Sequence, residues 1–156
     1  MGTITTAMCN SFKQELLGGV HDLDSDTLKI ALIKPSPTGS FGAATTNYSD
    51  LTSNSDEASG SGYTATGQNL GAPTDGTSSI INLSGSTAFV DFVDEVFSNV
   101  TVSAAGCLIY NSSTKAGVAN RAIAVFSFGQ TVTSTAGDFT IVFPTQDASN
   151  AVIRIT

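Results

Sequence analysis

Alternation of apolar residues with a period of two constrains this chain more than any other feature. Leu28, Ile30 and Leu32 show it early, and Phe139, Ile141 and Phe143 show it again near the end, interleaved with Asp138, Thr140 and Val142. Such a period sends one set of side chains into a core and the next toward solvent or a partner. Strand-like segments recur at residues 27–34, 63–66 with 68–70, 79–83, 88–93, 96–102, 106–111, 122–128, 139–143 and 151–155, with turn residues between them. No helical segments stand between them to make the crossovers that parallel strands require. The expected fold is therefore mainly β: an antiparallel β-sandwich or small barrel with one short N-terminal helix.

That helix is expected from Ser11 onward. Ser11 and Gln14 read as the two ends of a capping box, and Cys9, Phe12, Leu16 and Val20 recur at helical spacing. Gly18 and Gly19 bring it to an end. Residues 1–10, rich in Thr, read as an extended and poorly ordered arm ahead of a single β-rich domain at 11–156. Within that domain residues 35–62 are dominated by Pro, Gly, Ser, Thr and Asn and form a long surface loop, with a short helical turn near 48–51. Loops of this length in a compact domain are usually functional or disordered, and this one reads as an interaction loop.

Several strands are apolar on both faces. Ala122, Ala124, Phe126 and Phe128 share one side of a strand, with Ile123 and Val125 on the other; Ala88, Val90 and Phe92 oppose Phe89 and Val93. An antiparallel sheet commonly shows water one polar face. Two-faced strands imply that the second face is covered, by the helix or by another subunit.

Charge narrows the partners. Charged residues are 12% of the chain, about half the usual share; Ser, Thr and Gly make up 56 of the 156 residues. The formal charge is −7, and no Lys or Arg lies between Lys34 and Lys115, where Asp50, Asp56, Glu57, Asp75, Asp91, Asp94 and Glu95 fall. Affinity for nucleic acid and for anionic membrane surfaces rests on cations, so neither partner is expected. No segment has the length of a membrane span, and the first residues carry neither a charged leader nor a long apolar run, which points to synthesis in a reducing cytoplasm. Cys9 and Cys107 are the only cysteines and read as buried free thiols, with a disulfide or a metal pair as the alternative.

No reactive constellation accompanies the strands, and no catalytic, cofactor-binding or metal-binding residue is assigned. His21, the only histidine, sits at the end of the helix beside acidic residues, where a structural role is expected in place of base catalysis. Asp22, Asp24 and Asp26 open like a calcium loop, but Thr27 and Ile33 stand where that pattern requires Gly and Glu. Asp91, Asp94 and Glu95 are the residue types used in acid–base work on sugars, yet the chain has no Trp to build a sugar platform. A charged edge that discourages strand-to-strand aggregation accounts for them better. Gly60, Gly62 and Gly85 lack the strand–loop–helix setting of a phosphate cradle and read as turn glycines. Four matches to the glycosylation acceptor, at Asn47, Asn82, Asn99 and Asn111, are expected by chance in a chain so rich in Ser and Thr.

Some segments are nevertheless familiar. Ser11-Phe12, Leu16-Leu17, Val20 to Leu23 and Asp26 to Leu32 make a helix–turn–strand opening that resembles the small structural proteins encoded beside the capsid genes of tailed bacteriophages and cyanophages. Residues 60–67, 105–111, 124–129 and 137–144 continue the likeness. The resemblance implies a virion component made in the host cytoplasm, most like a capsid decoration or cement protein on the shell exterior. It also implies binding without turnover, the major capsid protein as partner, and a homotrimer that bridges neighbouring capsomers. The alternative of another class is a tail or host-attachment module that binds a receptor or glycan through the 35–62 loop.

Overall fold

The computed structural model describes residues 1–71 and 80–156. Two antiparallel sheets and little helix make the molecule mainly β, as the alternation predicts. In chain order the elements are β1 (Ala7–Met8), α1 (Asn10–Leu17), β2 (Leu28–Ile33), α2 (Ser49–Thr52), β3 (Gln68–Asn69), β4 (Ile81–Ser84), β5 (Thr87–Val90), β6 (Glu95–Asn111), β7 (Arg121–Ile141) and β8 (Ile153–Ile155). The larger sheet has the order β1-β7-β6-β2-β3 and the smaller one β4-β5-β8.

The larger sheet is organised by one long hairpin. β6 and β7 pair from Asn111 opposite Arg121 to Glu95 opposite Ile141, and β2 lies along the other edge of β6 with Leu28 opposite Asn111 and Ile33 opposite Gly106. The segments expected at 96–102 and 106–111 are thus parts of one strand. Residues 129–138, which the alternation left out, belong to β7. The pairing is interrupted by bulges: Ala104 opposes Val132 and Gly106 opposes Ser127, so β7 loops out between them at Gly129, whose φ of 72° suits a residue without Cβ. The expected strand at 63–66 is a turn, with Thr66 at φ 78°, and only Gln68–Asn69 pairs with β2. Of the expected 79–83 segment, Ser79 lies outside the described residues.

One continuous core joins both sheets, with Ile30, Leu32, Phe97, Leu108, Ile109 and Val125 packed in the same cluster as Val90, Phe92 and Ile153. The two-faced strands are covered largely by the chain itself. α1 reaches the end of the hairpin on one face, through Phe12, which is fully buried, and through Glu15 to Arg121. On the other face Tyr48 of the long loop stacks on Tyr110, centroids 4.8 Å apart.

The two flexible-looking segments are both tied down. Residues 1–9 are extended and Asn10 opens α1, and the extended part runs along the body: Thr5 N donates to Phe41 O (2.9 Å), Phe41 N to Thr3 O (2.8 Å), Gly2 N to Pro37 O (2.7 Å), and β1 pairs with β7 at Ala124 and Val125. Ile4 lies against Gly106, where any added Cβ would meet it. The expected capping box does not form. Helix α1 begins at Asn10, so Ser11 is already inside it and its buried Oγ has no hydrogen-bond partner; Cys9 takes the cap position without a side-chain bond. The amide of Asn10 is satisfied instead by Ala43 O (2.8 Å).

Candidate interaction surface

Each residue type with chemical potential is taken up by the structure in a definite way. His21 is buried; its Nε2 meets Glu15 Oε2 at 2.8 Å, its Nδ1 meets Asn111 Nδ2 at 3.1 Å, and its ring packs edge-on to Phe12. Its two nitrogens thus meet a carboxylate and an amide, and neither meets a hydroxyl or thiol. Asp26 is bonded by Asn111 Nδ2 (2.6 Å), by the amide of Asp22 (2.9 Å) and by Lys115 Nζ (2.6 Å). Burial alone would raise its pKa, but these donors outweigh that and hold it below the usual carboxylate range. Asp22 accepts from Ser25 Oγ, so Asp22 and Asp26 build a turn; among the described residues no group of three or more metal-ligating side chains assembles.

Asp91, Asp94 and Glu95 are separated in role. Asp94 Oδ1 accepts from Phe143 N (2.9 Å) and fastens the chain after β7. Asp91 is fully buried, takes the amide of Phe92 on Oδ1, and leaves Oδ2 without a partner. Burial, then the charges of Asp147 and Asp94, push its pKa up. Burial likewise raises Glu95, beside the Gln68 amide. Cys9 and Cys107 are both free and buried, and burial pushes each thiol up to about 12, which leaves them protonated and unreactive at neutral pH.

Sequence patterns gave no sign of the two adjacent carboxylates that organise the long loop. Asp56 is fully buried and accepts from Thr38 N (2.8 Å) and Gly39 N (2.7 Å) while pairing with Lys34 Nζ (2.9 Å). Burial works against its charge, and these three donors prevail, so its pKa is lowered. Glu57 gathers Tyr48 Oη (2.5 Å), Tyr63 Oη (3.0 Å) and Thr66 N (2.7 Å). Ala58 N then donates to Leu32 O (2.8 Å), which seats the loop beside β2. Gly60 and Gly62 are where the loop crosses β6: Thr101 N donates to Ser61 O (2.8 Å), and a Cβ on either glycine would collide with the β6 backbone.

With these interior groups accounted for, the outer edge of the hairpin is one surface that stands open. β1 covers β7 only at Ala124 and Val125, and Thr6 Oγ1 takes the amide of Ser127. Beyond that point no strand among the described residues pairs with the outer side of β7. Under this open edge lies a groove of about 260 Å³ formed by Phe128, Val132, Phe139, Thr140, Ile141 and Val142. Phe128 and Phe139 sit with centroids 6.1 Å apart; Val132 and Val142 are 37% and 72% exposed. The one sequence signal that could have found this strand is the β-branched run Thr131, Val132, Thr133, Thr135. On the outer face of the same ribbon, Ser103 Oγ meets Thr133 Oγ1 at 2.7 Å, beside an open polar groove lined by Lys34, Ser55, Glu57, Ser59 and Thr101.

No protein-family model matches this chain, and neither a curated protein nor a solved structure is significantly similar to it.

Proposed function

We propose that this chain is a non-enzymatic structural protein of a phage virion, which decorates the capsid exterior and cements neighbouring capsomers. The observation that carries the reading is the free edge of β7 above its apolar groove. From Ser127 to Ile141 that edge holds no Lys, Arg or Pro and one charge, Asp138, and between its bulges the segments 132–134 and 139–141 keep regular pairing. An edge left in this state is fitted to receive an extended segment, through main-chain hydrogen bonds along β7 and an apolar side chain in the groove of Phe128, Val132 and Phe139. The partner is an extended segment of the major capsid protein, and several copies on one lattice gain affinity through effective concentration. The resemblance of residues 11–12, 16–17, 20–23, 26–32, 60–67, 105–111, 124–129 and 137–144 to small phage structural proteins supports the same assignment.

The first test is quantitative mass spectrometry of purified particles from the source virus. A copy number comparable to the major capsid protein is expected, and absence from particles would overturn the virion reading. The second is binding of purified protein to capsids: Val132→Lys with Val142→Lys is expected to weaken it at least about tenfold, the effect of roughly 1.4 kcal/mol, with the circular dichroism spectrum unchanged. Undiminished binding would remove β7 as the grip.

The hydroxyl-lined groove at Lys34, Ser55, Ser59, Thr101 and Ser103 supports a second reading, a tail or host-attachment module that binds a glycan. Binding of the purified chain to host surface polysaccharide, and not to capsids, is its signature.

A further inference from the structure

The open edge of β7 sits among charges of one sign. No Lys or Arg occurs at 35–114 or at 122–153, so β6 and all of β7 after Arg121 carry no cation. The cations that border these stretches are engaged elsewhere: Lys34 pairs with Asp56, Lys115 with Asp26 and Arg121 with Glu15, and Arg154 turns its guanidinium to Ala148 O. Carboxylates stand at both ends of the apolar groove. Asp138 directly precedes Phe139, and Asp94 accepts from Phe143 N (2.9 Å), one residue beyond Val142. Both aspartates are exposed. Asp138 shares a face of β7 with Thr140, and Val142 continues that face at 72% exposure. Asp138 Oδ1 accepts from Asn99 N (3.1 Å), which holds the carboxylate in place without neutralising it.

We infer, resting on the reading of β7 as the capsid grip, that the extended segment added to this edge is basic, with an apolar residue flanked by Lys or Arg two positions to either side. Side chains at i, i+2 and i+4 of an added strand point the same way. The central one then enters the groove of Phe128, Val132 and Val142, and its neighbours extend toward Asp138 and Asp94. From Asp138 to Phe143 an extended chain spans about 17 Å, and two side chains four residues apart start about 13 Å apart. The flexible four-carbon stem of Lys covers the remainder. Charge also selects against other occupants of the edge. A second copy of this chain brings its own Asp138 and Asp94 and no cation to meet these, and like charges across an interface oppose association. Nucleic acid, a polyanion, is repelled in the same way. A neutral or acidic strand forms the main-chain hydrogen bonds but gains nothing from the two carboxylates.

The purified full-length chain tests this without a virus. The probes are two capped heptapeptides, Thr-Lys-Thr-Val-Thr-Lys-Thr and the same peptide with Glu in place of both Lys, titrated into isotopically labelled protein and followed by NMR. At about 50 mM salt the Lys peptide is expected to bind at least about tenfold tighter than the Glu peptide, with the gap narrowing at about 500 mM as the charges are screened. The amide signals at 139–141 are expected to move with it. Asp138→Asn together with Asp94→Asn keeps both acceptor oxygens and is expected to lower affinity for the Lys peptide at least about fivefold, leaving the Glu peptide bound no more weakly. Val142→Ser weakens both. Equal affinity for the two peptides overturns the inference, as does the absence of binding by either. So does a Lys preference that survives the double substitution, since that is attraction to an acidic surface at large, or an edge already occupied by a second copy in the pure protein. A chain abundant on particles that ignores the Lys peptide leaves the virion reading standing and this inference wrong; one that binds the peptide but is absent from particles does the reverse.

Discussion

Asp56 and Asp91 are both fully buried aspartates, yet they act in opposite senses. Asp56 is surrounded by donors, so its charge is favoured in the folded state. Removing it strands the amides of Thr38 and Gly39 and the Lys34 ammonium. Asp56→Ala is expected to cost about 2–4 kcal/mol at pH 7, measured by urea denaturation. Because its folded pKa is lowered, that contribution is present above the unfolded value of about 4 and is lost as pH falls through the folded one. The gap between variant and wild type should therefore shrink in acid. Asp91 has a raised pKa, so the folded state holds its proton more tightly than the unfolded chain does, and stability falls as pH rises from about 4 toward the folded value. Asp91→Asn is expected to stabilise by about 1 kcal/mol at pH 7, with the difference vanishing below about pH 4. A thermal melt series across pH decides this; a destabilised variant at pH 7 would mean the ionised carboxylate has a partner.

At the scale of elements, the N-terminal segment shows how backbone geometry overrides composition. A Thr-rich stretch without a long apolar run offers no reason to dock, yet its amides and carbonyls complete those of residues 37–43 and of β7. Main-chain pairing of this kind is silent in side-chain patterns. Deleting residues 1–8 is thus expected to lower stability by roughly 3 kcal/mol, through lost hydrogen bonds and the Ile4 contact at Gly106. Thermal unfolding of the truncated chain checks it, and an unchanged transition would show the segment detached in solution. The helix and β2 were legible from their apolar spacing, though the helix cap was not, because the cap moved two residues, from Ser11 to Cys9, and left Ser11 inside. The distal half of β7 was obscured by Gly129 and Gly137, a residue type depleted in strands, which sit at bulges or irregular pairings of one long strand.

For the whole molecule, the period-two alternation determined a mainly β, antiparallel architecture, because strands without intervening helices have no other way to connect. Composition and spacing likewise supplied the acidic balance, a short helix from Ser11 to Gly18 and a buried environment for Cys9 and Cys107. Which strands become neighbours depends on contacts distant in sequence, and only the tertiary structure decided those. It joined two expected strands into β6 and carried β7 past its last neighbour. It closed the 35–62 loop around Asp56 and Glu57, whose partners lie as far away as Lys34 and Thr66. It also settled the two-faced strands: α1 and the loop pack on the larger sheet, while Leu83 and Ile155 of the smaller one keep more than half of their surface exposed. Period and polarity mark a residue as apolar-facing, but burial is a property of what folds over it.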